Sequence, residues 1–434
     1  MRNGEFEVQE APRRIADFRW KRQRRRSCLV PAWLLFTLMI FVALQAAAFK
    51  ASAADVTPPY TPIHAYALPN GLHVVMAEDQ QSPVVDVEVW YHVGSRDEKH
   101  GMAGFAHLFE HLMFDGTRNL APEEFSNYIV RYGGIDNAYT TVDATVFWET
   151  IPAADLPVAL WLEADRMHNL VISGSTFRNE RQVVEEEARQ RFGNQPYGNL
   201  METLYAHAFT VSSYQHRPIG TTEDLDRASL SDVRAFYERY YVPDNATLVI
   251  VGKFDEAKAM KWIQQDFGPL EKGSLPISRN YPQEPPQKSE RKVTLRQPVA
   301  LPAFVEGYHI SADGSADAYP LELAARILAD GDSSWLYKLL VYKKQMAMQV
   351  ECDGNFSEMP NLFYIFAVMN AGHTPAQGEA EVARLIQRLK DGAISEEDMT
   401  RAKNEVLRDV ILNRQSDQSK ADALGYDAVI LKDP

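Results

Sequence analysis

Apolar and polar positions recur along this chain with two periods, one near two residues and one near three and a half. Leu72-His73-Val74-Val75-Met76, after the turn signal Asn70-Gly71, and Val84 to Tyr91 read as strands. Gly101 to Phe114 has apolar residues at 105, 108, 109, 112 and 113, the spacing of one helical face. Pro122 to Tyr132 predicts a second helix closed by Gly133-Gly134, and Asn137 to Thr150, rich in Thr, Val, Phe and Trp, predicts a strand. Helices are expected over 155–170, 176–192 and 232–240, and a buried strand over Ala246 to Gly252. The proline- and charge-rich stretch Leu275 to Lys292 reads as a linker. Beyond it the order returns: a strand at 303–310, helices at 319–329 and 333–343, a strand at 362–369 and a helix at 377–390. The recurrence predicts a duplicated α+β fold, with one domain over residues 55–274 and a second over 293–434. The second copy lacks a counterpart of the strand 246–252, so it is expected to be shorter or incomplete.

The first 54 residues follow a different logic. A basic lead that includes Arg13, Arg14, Arg19, Lys21, Arg22 and Arg24 to Arg26 precedes the apolar run Leu29 to Ala48, and Ala51-Ser52-Ala53-Ala54 follows. Basic, apolar, then small residues is the order of a secretory signal peptide, so residues 1–54 are expected to direct export, with the periplasm of a Gram-negative bacterium as destination. Left uncleaved, the same run is long enough to anchor the chain in a membrane. Removing ten of the 45 basic and four of the 59 acidic residues leaves 35 and 55, a formal charge of −20. Such a surface argues against nucleic-acid partners, which need a basic footprint. Of the two cysteines, Cys28 lies in the leader and Cys352 stands alone, so any metal must be held by histidines and carboxylates.

Those residue types converge at His107-Leu108-Phe109-Glu110-His111. Positions four apart share a helical face, so His107 and His111 can close on one ion while Glu110 overhangs it. The flanks Phe105, Leu108, Phe109, Leu112, Met113 and Phe114 are apolar, and two imidazoles and a carboxyl buried among them need a partner. Two imidazoles and one carboxylate form a catalytic zinc set that leaves a position open for water. The third ligand is expected from Asn179 to Arg189. At about 100° per residue Glu187 falls within about 20° of Glu180, on the side of Val183 and Val184, whereas Glu185 and Glu186 point elsewhere. Glu187 is therefore the expected ligand and Glu180 an outer group supporting the site.

On these residues the chain resembles the pitrilysin/insulinase peptidases, zinc enzymes with the inverted motif HxxEH, and most of all bacterial relatives of mitochondrial processing peptidase. The likeness runs through Leu68-Pro-Asn-Gly-Leu72, Gly94-Ser95, Gly104 to Thr117, Gly133 to Thr140, Leu160 to Met167, Glu180 to Val184, Glu187 and Tyr241 to Asn245. The resemblance implies a duplicated α/β roll, each half a mainly antiparallel sheet packed with helices. It implies one zinc ion per chain on His107, His111 and Glu187, with Glu110 as general base and Glu180 as auxiliary acid. It implies that the strand at Asn137 and Ala138 pairs with an extended peptide substrate. Relatives also place an Arg and a Tyr seven residues apart facing the metal, and no such pair occurs between Arg279 and Pro434. A second homologous subunit is therefore expected to supply it. A scaffold subunit of the same fold, the rival reading, would be expected to lose the metal residues that are intact here.

Overall fold

The computed structural model describes residues 61–433, and the predicted signal peptide at 1–54 lies outside them. The first lobe is built on β1 (Ile63–Ala67), β2 (His73–Glu78), β3 (Val84–Tyr91), α1 (Phe105–Leu112), α2 (Glu124–Arg131), β4 (Ile135–Thr140) and β5 (Thr145–Pro152). It continues through α3 (Leu156–Asn169), α4 (Gly174–Ala188), α5 (Leu200–Ala208), α6 (Thr222–Arg227), α7 (Leu230–Tyr240), β6 (Ala246–Gly252) and α8 (Glu256–Asp266). The second lobe comprises β7 (Ala303–Ile310), α9 (Ala318–Ala329), β8 (Ala347–Gly354), β9 (Asn361–Met369), α10 (Pro375–Lys390), α11 (Glu396–Leu412) and α12 (Asp417–Tyr426). Residues 271–302 form neither helix nor strand.

The first sheet has the order β1-β2-β6-β3-β5-β4, antiparallel throughout except where β2 runs parallel to β6. Every residue of β6 is buried, as expected of a central strand covered on both faces. On one face Val85, Val87 and Val89 join Phe105, Phe109, Leu160 and Leu248 in the main core. On the other, Val75, Trp90, Val249 and Val251 pack beneath Ala421 of α12, a helix that follows the second sheet in the chain. The exchange is mutual. Leu204 of α5 lies against β7, where a Cβ on Gly307 would sit 2.9 Å from its side chain.

The second sheet, β7-β9-β8, repeats the antiparallel arrangement β3-β5-β4, so the predicted duplication is present as a two-lobed architecture. Among the described residues β7 pairs only with β9, whereas β3 pairs with both β5 and β6. Two sequence expectations are corrected. The strand expected over 137–150 is a hairpin, because Thr141 Oγ1 accepts the N–H groups of Asp143 (3.1 Å) and Ala144 (2.9 Å) and turns the chain. The helix expected from Gly101 begins at Phe105, because Gly101 and Gly104 have φ of 80° and 100°.

Arg96 joins the lobes. Its guanidinium is wholly buried, 2.9 Å from Asp143 of the β4–β5 turn and 2.5 Å from Glu358 of the β8–β9 loop. The 271–302 segment is tied to the first lobe. Tyr281 donates to Asp97 (2.6 Å), and Glu284 accepts the N–H groups of Thr210, Val211 and Ser212.

Candidate metal centre

Helix α1 divides its residues between two environments. Phe105, Leu108, Phe109 and Leu112 enter the core, and Phe109 stacks on Phe236, with ring centres 5.4 Å apart. His107, Glu110 and His111 face α4 and β4 instead. The imidazole rings lie 4.9 Å apart, as expected for positions one turn apart on one face. From α4, Glu187 brings one carboxylate oxygen to 3.7 Å from His107 Nε2 and 3.3 Å from His111 Nε2. One ligand atom from each of the three residues lies within 4.8 Å of the others.

These spacings fit a zinc ion. Ligand atoms about 2.1 Å from a tetrahedral centre stand roughly 3.4 Å from one another. No hydrogen bond joins these groups, and two imidazole nitrogens converging with a carboxylate oxygen are the donor set of a zinc site. Burial lowers the pKa of His107 to about 4, with the neighbouring His111 acting in the same direction. His107 is thus neutral at physiological pH and available as a ligand.

The surrounding groups aim the ligands. Glu180 Oε2 lies 3.5 Å from His111 Nδ1, the nitrogen opposite the one that faces Glu187, so a carboxylate backs the ring. The second carboxylate oxygen of Glu187 pairs with Arg191 at 2.7 Å. Glu185 lies 3.7 Å from Arg181, and Glu186 pairs with Arg189, both away from the cluster. The apolar side expected for α4 is narrower than the periodicity implied. Val184 is buried among the core residues, but Val183 is 47% exposed.

Glu110 does not join the ligand cluster. One of its carboxylate oxygens accepts a hydrogen bond from Thr140 Oγ1 at 2.6 Å. Burial raises its pKa above the ordinary value, and the Thr140 hydrogen bond opposes that rise. Asn137 and Ala138 lie on β4, which has one edge paired to β5 and the other without a strand among the described residues. That edge ends at Thr140, so it leads directly to Glu110.

Sequence reasoning passed over Thr140 and Arg191. Arg191 was legible from its spacing four residues after Glu187, although it stands on the wider turn 189–193 that continues α4. Thr140 was not, because only the fold brings residues 30 apart into hydrogen-bond range.

Residues 73–222 match the family model described as insulinase (peptidase family M16), and residues 227–406 match the one described as peptidase M16 inactive domain. The chain is 33% identical over 366 residues to zinc protease PqqE of Helicobacter pylori, covering 83% of this chain and 82% of that protein. It is 27% identical over 265 residues to the mitochondrial-processing peptidase subunit beta of Blastocladiella emersonii, covering 61% of this chain and 56% of that one. Among solved structures, a protease from Helicobacter pylori superposes with a TM-score of 0.82 at 31% identity, covering 86% of this chain and 90% of that one.

Proposed function

Because this chain belongs to the insulinase (peptidase M16) family and is a zinc metalloendopeptidase, we propose that it is an exported enzyme that cuts extended peptides or unfolded proteins, with Glu110 as general base. The observation that carries the reading is the convergence of His107, His111 and Glu187 beside a half-buried Glu110, at the end of an open strand edge.

Zinc held by His107, His111 and Glu187 would supply Lewis acidity, which acidifies water and polarises a carbonyl. Glu110, oriented by Thr140, takes the proton lost by the attacking water and returns it to the departing amine nitrogen. Glu180 holds the His111 ring, and Arg191 holds the outer oxygen of Glu187. The backbone of Asn137 and Ala138 offers an extended substrate a strand to pair with, which would set the scissile bond beside Glu110. Export rests on the signal-like order of residues 1–54, and the periplasm is the proposed location. The proposed active assembly is a dimer with a homologous chain that contributes the Arg and Tyr not found at that spacing between Arg279 and Pro434.

The test is cleavage of a quenched peptide library. Chelation should abolish cleavage, and one equivalent of zinc should restore it. Glu187→Gln should lower zinc occupancy, whereas Glu186→Gln, on the exposed side of α4, should leave it unchanged. Full activity in protein shown to be metal-free would sink the reading.

A further inference from the structure

The helix that carries both imidazoles is eight residues long and opens on Gly104, which has a φ of 100° and no side chain with which to cap it. Two turns with an uncapped start are a weak support for two ligands. The exposed N–H groups at that start are taken by a residue outside the helix. Glu98, from the turn after β3, accepts Gly104 N–H at 3.0 Å through one carboxylate oxygen and Ala106 N–H at 2.8 Å through the other. Ala106 is the residue immediately before His107.

The Glu98 side chain is wholly shielded from solvent. Among the described residues the one side-chain base within 4 Å is His216, whose Nδ1 lies 3.6 Å from the carboxylate, and burial lowers its pKa. A buried carboxyl that meets no Lys or Arg among the described residues is expensive to keep charged. Burial pushes its pKa well above the ordinary carboxylate range, and the Ala106 and Gly104 N–H groups at the positive end of α1 oppose that rise.

The same entrance is gripped from a second direction. Asp224 Oδ2 accepts Ala103 N–H at 3.2 Å. The chain before α6 crosses so closely that a Cβ on Gly220 would lie 2.3 Å from the carbonyl carbon of Ala103, and one on Gly104 would lie 2.7 Å from the Ile219 carbonyl oxygen. Position, direction and register of the first turn are thus set by groups that are neither ligands nor bases.

We propose that Glu98 is a positioning residue of the zinc centre, which fixes the first turn of α1 and through it the aim of His107 and His111, with Asp224 as a lesser partner. The inference rests on the zinc assignment above. A merely structural cap would lower the stability of the metal-free and loaded protein alike and leave zinc affinity unchanged. A positioning residue moves the affinity itself.

The experiment compares the full chain with Glu98→Gln, Glu98→Asp and Asp224→Ala. It measures the zinc dissociation constant by competition with a chromogenic chelator, beside the unfolding midpoint of the metal-free protein. Glu98→Gln turns an NH2 group toward one of the two N–H donors and should weaken zinc binding by roughly 10- to 100-fold, the usual cost of losing a group that orients a ligand. Glu98→Asp, which keeps the carboxylate one methylene short, should recover part of the loss. Asp224→Ala leaves both Glu98 bonds in place and should give a smaller loss in the same direction. It decides the matter if the Glu98 variants do not fold. Zinc affinity within twofold of the parent in the folded variants would overturn the proposal, whatever happens to the midpoint. A parent chain that binds no zinc would overturn the metal centre, and this proposal with it.

Discussion

Glu110 and Thr140 show how little of a catalytic side chain's behaviour is its own. Burial makes the Glu110 carboxyl more basic, and the hydroxyl of Thr140 at 2.6 Å holds one of its oxygens. Glu110→Gln keeps the shape but removes the basic site, so zinc content should be unchanged while kcat falls by about 10²- to 10⁴-fold. Thr140→Val removes only the donor. It should lower kcat roughly tenfold, about 1.4 kcal/mol, with zinc affinity and KM near those of the parent. Steady-state kinetics beside metal analysis checks both. A Thr140→Val enzyme with unaltered kcat would remove Thr140 from the mechanism.

Strand β3 carries two opposite faces at the scale of one element. Val85, Val87 and Val89 enter the main core, while Asp86 and Glu88, equally buried, turn toward α12. Asp86 accepts from Thr150 Oγ1 at 2.5 Å, and Glu88 accepts from Trp90 Nε1 at 2.6 Å. Among the described residues no cation meets Asp86. Burial, reinforced by Asp417 and Asp422 of α12, raises its pKa from 3.8 to about 7. A carboxyl with a raised folded pKa contributes stability fully below the unfolded value and loses that contribution as pH climbs through the folded one. The α12–β3 contact should therefore weaken between about pH 4 and pH 7. Asp86→Asn should reduce the dependence, leaving the part due to Glu88, whose pKa burial also raises, and should stabilise the protein at pH 8 by on the order of 3 kcal/mol, with little difference near pH 4. Unfolding midpoints of the two proteins across this range test the sign, and parallel curves would refute it. Period-two patterning cannot predict such a face, since an alternating polar set ordinarily reads as solvent-facing.

Across the whole molecule, each sheet is covered in part by a helix from the other lobe, and Arg96 bridges Asp143 and Glu358 between them. The lobes are thus held as one body around the zinc centre on the first. The proposed missing element is a group that holds the substrate carbonyl. Without it the centre can activate water but forfeits much of the positioning contribution. The isolated chain should bind zinc yet hydrolyse peptides slowly. Co-expression with a homologous chain that carries the Arg and Tyr should raise turnover at least tenfold and leave zinc affinity unchanged. Hydrolysis assays paired with masses from light scattering test this, and full activity from a verified monomer defeats it.

What the sequence determined alone is what short-range geometry encodes. Strands β3, β6 and β7 fall where the apolar runs placed them, and His107 with His111 share a face because the helical repeat puts residues four apart together. Glu180 and Glu187 reach the same site for the same reason, two turns apart on α4. The hairpin break at Thr141, the late helix on the first sheet, the burial of Asp86, the hydroxyl against Glu110 and the Glu98 cap were decided only by tertiary structure. Each depends on which elements pack together, and hydrogen bonding and desolvation act through space between residues whose separation along the chain carries no periodic signal.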